Sequence, residues 1–223
     1  MSECLLYPRP EPVPAEIVEA LAKKPTAAIS DGMNRIGGAP GLRPMSRAVP
    51  LAGPALTVHT RPGDNLVVHK ALDLAKPGDV LVIAGDGNRE RALVGGLACH
   101  YAARRGVAGI VVDGAVRDLD ELAELDLPVF ALDVSHQGPY KDGPGAIGGP
   151  VTMRGTAVHT GDVVVADQDG VVFVPRLRAR EALESAARVV DNEARTMAAI
   201  ETDSWDRSFV DGLVVRRVEL VEG

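Results

Sequence analysis

Aromatic residues make up only 3% of the chain, as one Trp, three Tyr and three Phe. Bases or sugars are therefore not expected to be gripped by stacked rings, and the core must be built from Val, Ile, Leu and Ala. Cysteine occurs twice, as Cys4 and Cys99. Two thiols make neither a disulfide framework nor a tetrathiolate zinc site, so a reducing cytoplasm is the expected compartment. No apolar run approaches the roughly 18 residues that cross a bilayer. Met1-Ser2-Glu3-Cys4 also lacks the basic and then apolar start of a secretory leader, so no membrane partner is expected. Lysine is confined to Lys23, Lys24, Lys70, Lys76 and Lys141. The remaining basic charge is Arg, a bias of genome composition before it is one of function. The net charge of −7 argues against nucleic acid, whose phosphates want a basic surface.

What is present is an ordinary globular balance, 46% apolar and 25% charged over 223 residues. Residues 1–12 read as a Pro-punctuated arm, and Pro14 suits the first turn of a helix carrying Ile17, Val18 and Leu21. Thr26 is expected to cap a second short helix bearing Ser30, Asp31 and Arg35. Residues 48–61 alternate as a strand, and Asp64 is expected to cap a helix running through Leu74. Apolar runs at Val80–Ala84, Ala108–Val112 and Val129–Leu132 alternate with helices expected at about 92–104 and 119–125. This is the rhythm of βαβ units on a parallel sheet buried on both faces. Residues 134–149 are rich in Gly and Pro, have no period, and read as a long loop. Short strands follow at 151–153, 157–159, 162–166 and 171–174, with Asp169-Gly170 as a hairpin signal. A long helix is expected over 177–200. The tail could add a strand over 213–220.

Chemistry concentrates between Gly95 and Asp118. A Gly pair opening a helix lets another group approach bare backbone, and the first amides of a helix favour anions. Gly95-Gly96-Leu97-Ala98 could therefore hold a carboxylate or phosphate. Arg117 and Asp118 follow a buried strand, at the sheet edge where open α/β folds bind ligands. Arg117 offers a planar fork for a carboxylate, and Asp118 a hard oxygen for Mg²⁺ or Mn²⁺. Each has a plainer reading. The Gly pair could simply begin a helix late. Asp118 with Glu121 could be a capping box, and Arg117 could make a surface ion pair.

The run Gly95-Gly96-Leu97-Ala98, then Arg105 through Asp118 (Arg-Gly-Val-Ala-Gly-Ile-Val-Val-Asp-Gly-Ala-Val-Arg-Asp), resembles the family of regulator of ribonuclease activity A and the 4-hydroxy-4-methyl-2-oxoglutarate aldolases. Pro77-Gly78-Asp79-Val80, Gly161–Asp167 and Gly170–Pro175 resemble it too, in the same order, so the likeness runs from about Thr26 to Ile200. The resemblance implies an α/β domain with a swivelling-domain-like β core, assembled as a homotrimer or a hexamer with its site near a subunit boundary. Parallel βαβ units, antiparallel hairpin strands and a long C-terminal helix complete that fold. The expected division is an arm and helix over 1–25, a catalytic domain over 26–200, and a tail over 201–223.

The same resemblance implies class II pyruvate aldolase chemistry. Gly95, Gly96, Leu97 and Ala98 would line the pyruvate loop, Arg117 would bind the pyruvoyl group, and Asp118 would ligate Mg²⁺ (or Mn²⁺) with waters completing the shell. One departure matters. Aldolases of this family carry Asp or Glu where this chain has Gly96, and that carboxylate serves the acid/base step through a held water. His100, four residues on, is either a substitute base or a packed or surface histidine. Asp86 is either a turn residue or an outer carboxylate of the metal site. An acid from a neighbouring subunit's C-terminal helix would correspond to Glu193 or Glu201. Cys99 reads as buried packing, Asp31 as a solvated helix-end carboxylate, and Asp167-Gln168-Asp169-Gly170 as a turn. Two functions follow. One is a metal-dependent lyase that cleaves 4-hydroxy-2-oxo acids or decarboxylates oxaloacetate through a pyruvate enolate. The other is a non-catalytic trimeric regulator of a ribonuclease or other protein. A carboxylate placed at 96 would restore cleavage if the backbone there accepts a Cβ.

Overall fold

Apolar residues in the strands face two ways, and that alternation builds the architecture of the computed structural model, which describes residues 3–217. The chain divides into two units, Met1–Val189 and Val190–Gly223. In the first, the strands are β1 (Cys4–Leu6), β2 (Arg43–Pro44), β3 (Leu51–Thr60), β4 (Val80–Val94), β5 (Gly109–Val116), β6 (Val129–Val134), β7 (Gly145–Ile147), β8 (Val151–Met153), β9 (Thr156–Val158), β10 (Val163–Asp167) and β11 (Gly170–Val174). The helices are α1 (Ala15–Leu21), α2 (Thr26–Gly32), α3 (Leu66–Leu74), α4 (Gly96–Arg104), α5 (Leu119–Glu124) and the first part of α6 (Ala179–Glu201).

Strands β3, β4, β5 and β6 pair in parallel, joined by α3, α4 and α5, as the alternation of runs and helices predicts. β10 and β11 form the expected antiparallel hairpin, and β10 pairs antiparallel with the first half of β3. Gly38 bridges to Val172 of β11, while Arg43 of β2 pairs with Ala131 of β6. Residues 37–44 thus link β11 to β6 and close the sheet into a barrel-like circuit. Val80, Val82 and Ala84 of β4, Val111, Phe130, Val164 and Phe173 point inward, together with Val151 and Met153 of the β8–β9 hairpin. The alternate residues Leu81, Ile83, Ile110 and Val112 point outward beneath α3, α4 and α5. Val163, Val165, Val172 and Val174 face α1, α2 and Ala182 and Ala186 of α6. A period of two with both faces apolar is what burial on both sides requires. The fold class inferred from sequence is the one observed: mixed α/β, with parallel and antiparallel strands and a long C-terminal helix.

Several boundaries differ from the sequence reading. β4 continues to Val94, because Ala92 and Val94 pair with Ala115 and Val116, and α4 starts only at Gly96. The expected loop over 134–149 contains β7, which pairs with β3 and β1. Thr26 is the first residue of α2 rather than its cap. Its amide and hydroxyl both donate to the Asp167 carboxylate, at 2.9 and 2.7 Å. Arg35 lies beyond α2, since Asn34 and Arg35 have φ of 59° and 62°, although its guanidinium still reaches Asp31 at 3.2 Å. A 3-10 turn over Arg176–Arg178 precedes α6. The cap position of α3 is Asn65 rather than Asp64, although Asp64 accepts the Leu66 amide at 2.9 Å and its second oxygen accepts the amides of Asp142 and Gly143.

The N-terminal arm is fixed rather than loose. Arg9 donates to both oxygens of buried Asp79, at 3.0 and 2.8 Å, and to the Leu74 carbonyl. The Lys76 amide donates to the same carboxylate at 2.7 Å. Asp79→Ala should destabilise the fold by about 2–3 kcal/mol, less than the roughly 3–5 kcal/mol for breaking a fully buried pair because Arg9 stays partly solvated. Urea midpoints of the wild type and variant test this.

In the second unit α6 ends at Glu201, and the Thr202 hydroxyl donates back to Ala198. Trp205 and Phe209 rings lie 6.1 Å apart, with the Arg207 guanidinium over Trp205 at 5.2 Å. Residues 213–217 form no strand. The rest of the strand expected over 213–220 lies outside the described residues.

Candidate active site

Gly95 stands between the end of β4 and the start of α4 in extended backbone, with φ −147°. Any residue could adopt that conformation, so space is what requires glycine. A Cβ there would lie 2.5 Å from Asp118 Oδ2, 2.9 Å from Arg117 Cγ and 3.0 Å from Arg117 Nε. The Arg117 side chain lies across this bare backbone. Next to it Gly96 begins α4, and its amide donates to Asp118 Oδ2 at 2.9 Å. Arg117 Nε is 3.4 Å from the same oxygen. The Arg117 amide donates to the Val94 carbonyl, tying the end of β5 to the end of β4.

Asp118 has φ 61° and ψ 46°, the left-handed region that Asp and Asn enter more readily than other side chains. It precedes α5 without capping it through its side chain. The carboxylate is turned across to α4 instead, so a simple capping box is not what the structure holds. Among the described residues its Oδ1 has no hydrogen bond, and the side chain is about one-third exposed. The amides of Leu97 and Ala98 belong to the free first turn of α4, which leaves them without intrahelical acceptors. Gly95, Gly96, Arg117 and Asp118 are therefore brought together, with Leu97 and Ala98 alongside.

The other sequence candidates lie elsewhere. His100 is exposed on α4, and no hydrogen bond or ion pair joins it to the cluster among the described residues. Asp86 sits at φ 52° in a stretch where β4 leaves its register with β5. Its charge bears on Asp113, whose carboxyl is raised above the usual range mainly by burial, against the pull of Arg154 at 3.6 Å. No hydrogen bond links Asp86 to Asp118 among the described residues. Glu193 and Glu201 are exposed on α6. Asp31 is exposed at the end of α2, and Cys99 is buried, as expected. Burial, and then the charges of Asp118 and Glu121, push the Cys99 thiol up to about 12. It stays a thiol at neutral pH and is no nucleophile.

Two features were not legible as parts of the site. Glu121, read only as half of a capping box, carries its carboxylate to the N-terminus of α4, where the side chain of residue 96 would stand. The signal was present in the glycine itself, a missing side chain whose volume something else must fill. The loop over 135–143 also approaches the site. Arg91 stacks on the Tyr140 ring at 4.1 Å and donates to the Gly138 carbonyl at 2.7 Å. A Cβ on Gly138 would lie 3.2 Å from an Arg117 guanidinium nitrogen.

Compared with known proteins, residues 26–173 match the model of the RraA-like family, described as Aldolase/RraA. A protein of Halalkalibacterium halodurans named "Putative 4-hydroxy-4-methyl-2-oxoglutarate aldolase" is 34% identical over 192 residues, covering 85% of this chain and 91% of its own. RraAS2 of Streptomyces coelicolor, described as an unusual member of the RNase ES inhibitor RraA protein family, is similar in structure. It superposes with a TM-score of 0.76 at 29% identity, covering 86% of this chain and 98% of its own. The RNA-processing inhibitor RraA from Thermus thermophilis gives a TM-score of 0.64 at 31% identity, over 69% of this chain and 93% of its own. No helix among the described residues is long and apolar enough to cross a membrane.

Proposed function

The chain belongs to the RraA-like family (Aldolase/RraA), and on that premise we propose that it is a divalent-metal-dependent lyase acting on 2-oxo acids through a pyruvate enolate. Its substrates are 4-hydroxy-2-oxo dicarboxylates such as 4-hydroxy-4-methyl-2-oxoglutarate, with oxaloacetate as a decarboxylation substrate. The observation that carries this reading is the convergence of the Arg117 fork and the Asp118 carboxylate on the free first turn of α4.

The donor set fits a hard cation that keeps its water. No group of three or more His, Cys, Asp or Glu side chains suited to a metal occurs among the described residues, so a closed zinc cage is not on offer. Asp118 Oδ1 has no hydrogen bond among the described residues, and the side chain is partly exposed. One carboxylate with water completing the shell suits Mg²⁺, which dehydrates reluctantly. Asp118 would hold that ion, which when bound supplies positive charge where the enolate oxygen develops.

The remaining work falls to the chain. Arg117 presents a charged fork to the substrate carboxylate and holds the 2-oxo acid end in place. The Leu97 and Ala98 amides add donors from α4, aimed at charge that grows during the reaction. Asp118 orients both partners, since it accepts from the Gly96 amide and stands beside Arg117. The assembly of this reading is a homotrimer or hexamer, which would cover Leu97, 84% exposed in the single chain.

The test is pyruvate release from both substrates, with Mg²⁺ and after chelation. Turnover that depends on added Mg²⁺ is expected. Release from neither substrate with Mg²⁺ present would overturn the lyase reading in favour of a protein-binding regulator.

A further inference from the structure

We propose that Glu121 is the acid/base carboxylate of this site, delivered from α5 into the side-chain volume that Gly96 leaves empty. The inference rests on the lyase reading above and says which group moves the proton.

The geometry is specific to this pair. A Cβ built on Gly96 would overlap Glu121 Oε2 outright, and would lie 2.7 Å from its Cδ and 3.3 Å from its Cβ. Gly96 is not at positive φ, so its backbone would accept a side chain. What occupies that place is the Glu121 carboxylate, the end of a flexible and exposed side chain that a new side chain would have to push aside. Glu121 has no hydrogen bond or ion pair among the described residues, so its oxygens are not committed to holding the fold. It lies one helical turn after Asp118, whose own carboxylate reaches the Gly96 amide. Two carboxylates, one from the residue before α5 and one from its first turn, thus meet the start of α4, one at the amide of residue 96 and one at its side-chain position. Cys99, one turn further along α4, feels the charge of both. The exposed side chain of His100 makes no hydrogen bond or ion pair with the cluster among the described residues.

The chemistry balances without a co-reactant. The Glu121 carboxylate takes the proton of the C4 hydroxyl as the C3–C4 bond breaks. The C4–O bond becomes a carbonyl, releasing one pyruvate. The electron pair of the broken bond stays on C3 and C2 as the enolate of the second. Protonated Glu121 then returns its proton to C3, giving the second pyruvate and regenerating the carboxylate. Decarboxylation of oxaloacetate reaches the same enolate with no hydroxyl proton to remove, and that enolate can take its C3 proton from solvent. It is the internal control for enolate formation.

Four full-length proteins decide the matter: wild type, Glu121→Gln, Gly96→Asp, and Gly96→Asp combined with Glu121→Ala. Each is assayed with Mg²⁺ on both substrates and melted thermally. Glu121→Gln should lower cleavage relative to decarboxylation by roughly 10²-fold or more, the span of general acid/base assistance. Gly96→Asp alone should melt at lower temperature and lose part of its cleavage, because a second carboxylate is crowded against Glu121, whose flexible end must swing aside. The double variant should recover both, with the carboxylate now supplied from α4. Unchanged cleavage in Glu121→Gln would overturn the proposal. So would a double variant that regains its melting temperature but not its cleavage. A wild type that cleaves nothing and decarboxylates nothing would bring down the lyase reading, and this inference with it. Loss of cleavage alone isolates Glu121.

Discussion

Asp118→Asn should lower turnover by roughly 10³-fold, equivalent to about 4 kcal/mol of transition-state stabilisation, while leaving the melting temperature near that of the wild type. Asparagine is the informative replacement because of the backbone. At φ 61° Asn is tolerated almost as well as Asp. Alanine there would add about 1 kcal/mol of left-handed strain and confuse folding with function. The amide oxygen of Asn can also keep the Gly96 N–H, now accepted by Asp118 Oδ2 at 2.9 Å. What disappears is one negative charge beside Arg117 and one anionic oxygen of the proposed metal ligand. Mg²⁺ titration by calorimetry should show a large loss of affinity. Unchanged affinity would remove Asp118 as the ligand, whatever happens to turnover.

Phe130→Ala should destabilise the fold by about 3–5 kcal/mol, the usual span for emptying a fully buried aromatic site. Phe130 is completely buried on the inner face of β6, among residues such as Val111, Leu42 and Phe173. The barrel circuit argues for the upper part of that range. Strands hydrogen-bonded on both edges cannot move in to fill the void, so most of the cavity would persist. Phe130→Leu conserves more volume and should cost about 1 kcal/mol. Guanidinium unfolding of the three proteins measures both. Equal midpoints for wild type and Phe130→Ala would mean that the inner layer is not the core of this fold.

Most of the fold was legible because its signals are local. Val80–Ala84 lies between two helices, Val129–Leu132 follows one, both are short apolar runs, and Asp169-Gly170 marks the hairpin. Closure of the barrel was not legible. Residues 37–44 contain three glycines, two prolines and no alternation, and they join β11 to β6 through backbone contacts that no side-chain period encodes. The bulged half of β4 failed for the opposite reason. Asp86 through Arg91 is polar and reads as loop, yet Asn88, Ala92 and Val94 still find partners on β5. At the site, Arg117, Asp118 and the Gly pair could be found because they are adjacent in sequence or fixed in spacing. Glu121 escaped because a capping box accounts for it locally, and only the empty volume at Gly96, on another helix, shows where its carboxylate goes.

Strand β3 pairs with three strands, β4, β7 and β10, and the pairing with β4 and β10 has a bearing on how the chain acquires its structure. Residues 55–59 pair with β4, formed only some twenty residues later, whereas residues 51–54 pair with β10. Near the junction, the Thr57 amide donates to the Thr160 hydroxyl across 103 positions of sequence. Contacts of such long separation close late and slow folding. The β3–β6 layer with its helices can begin to assemble as the chain emerges, but the inner face of β3 waits for β10 and β11. Until they arrive, Leu51 and Ala55 remain uncovered on one side. Amides at the start of β3 are thus expected to gain protection from hydrogen exchange in the last phase of refolding, after those of β4 and β5.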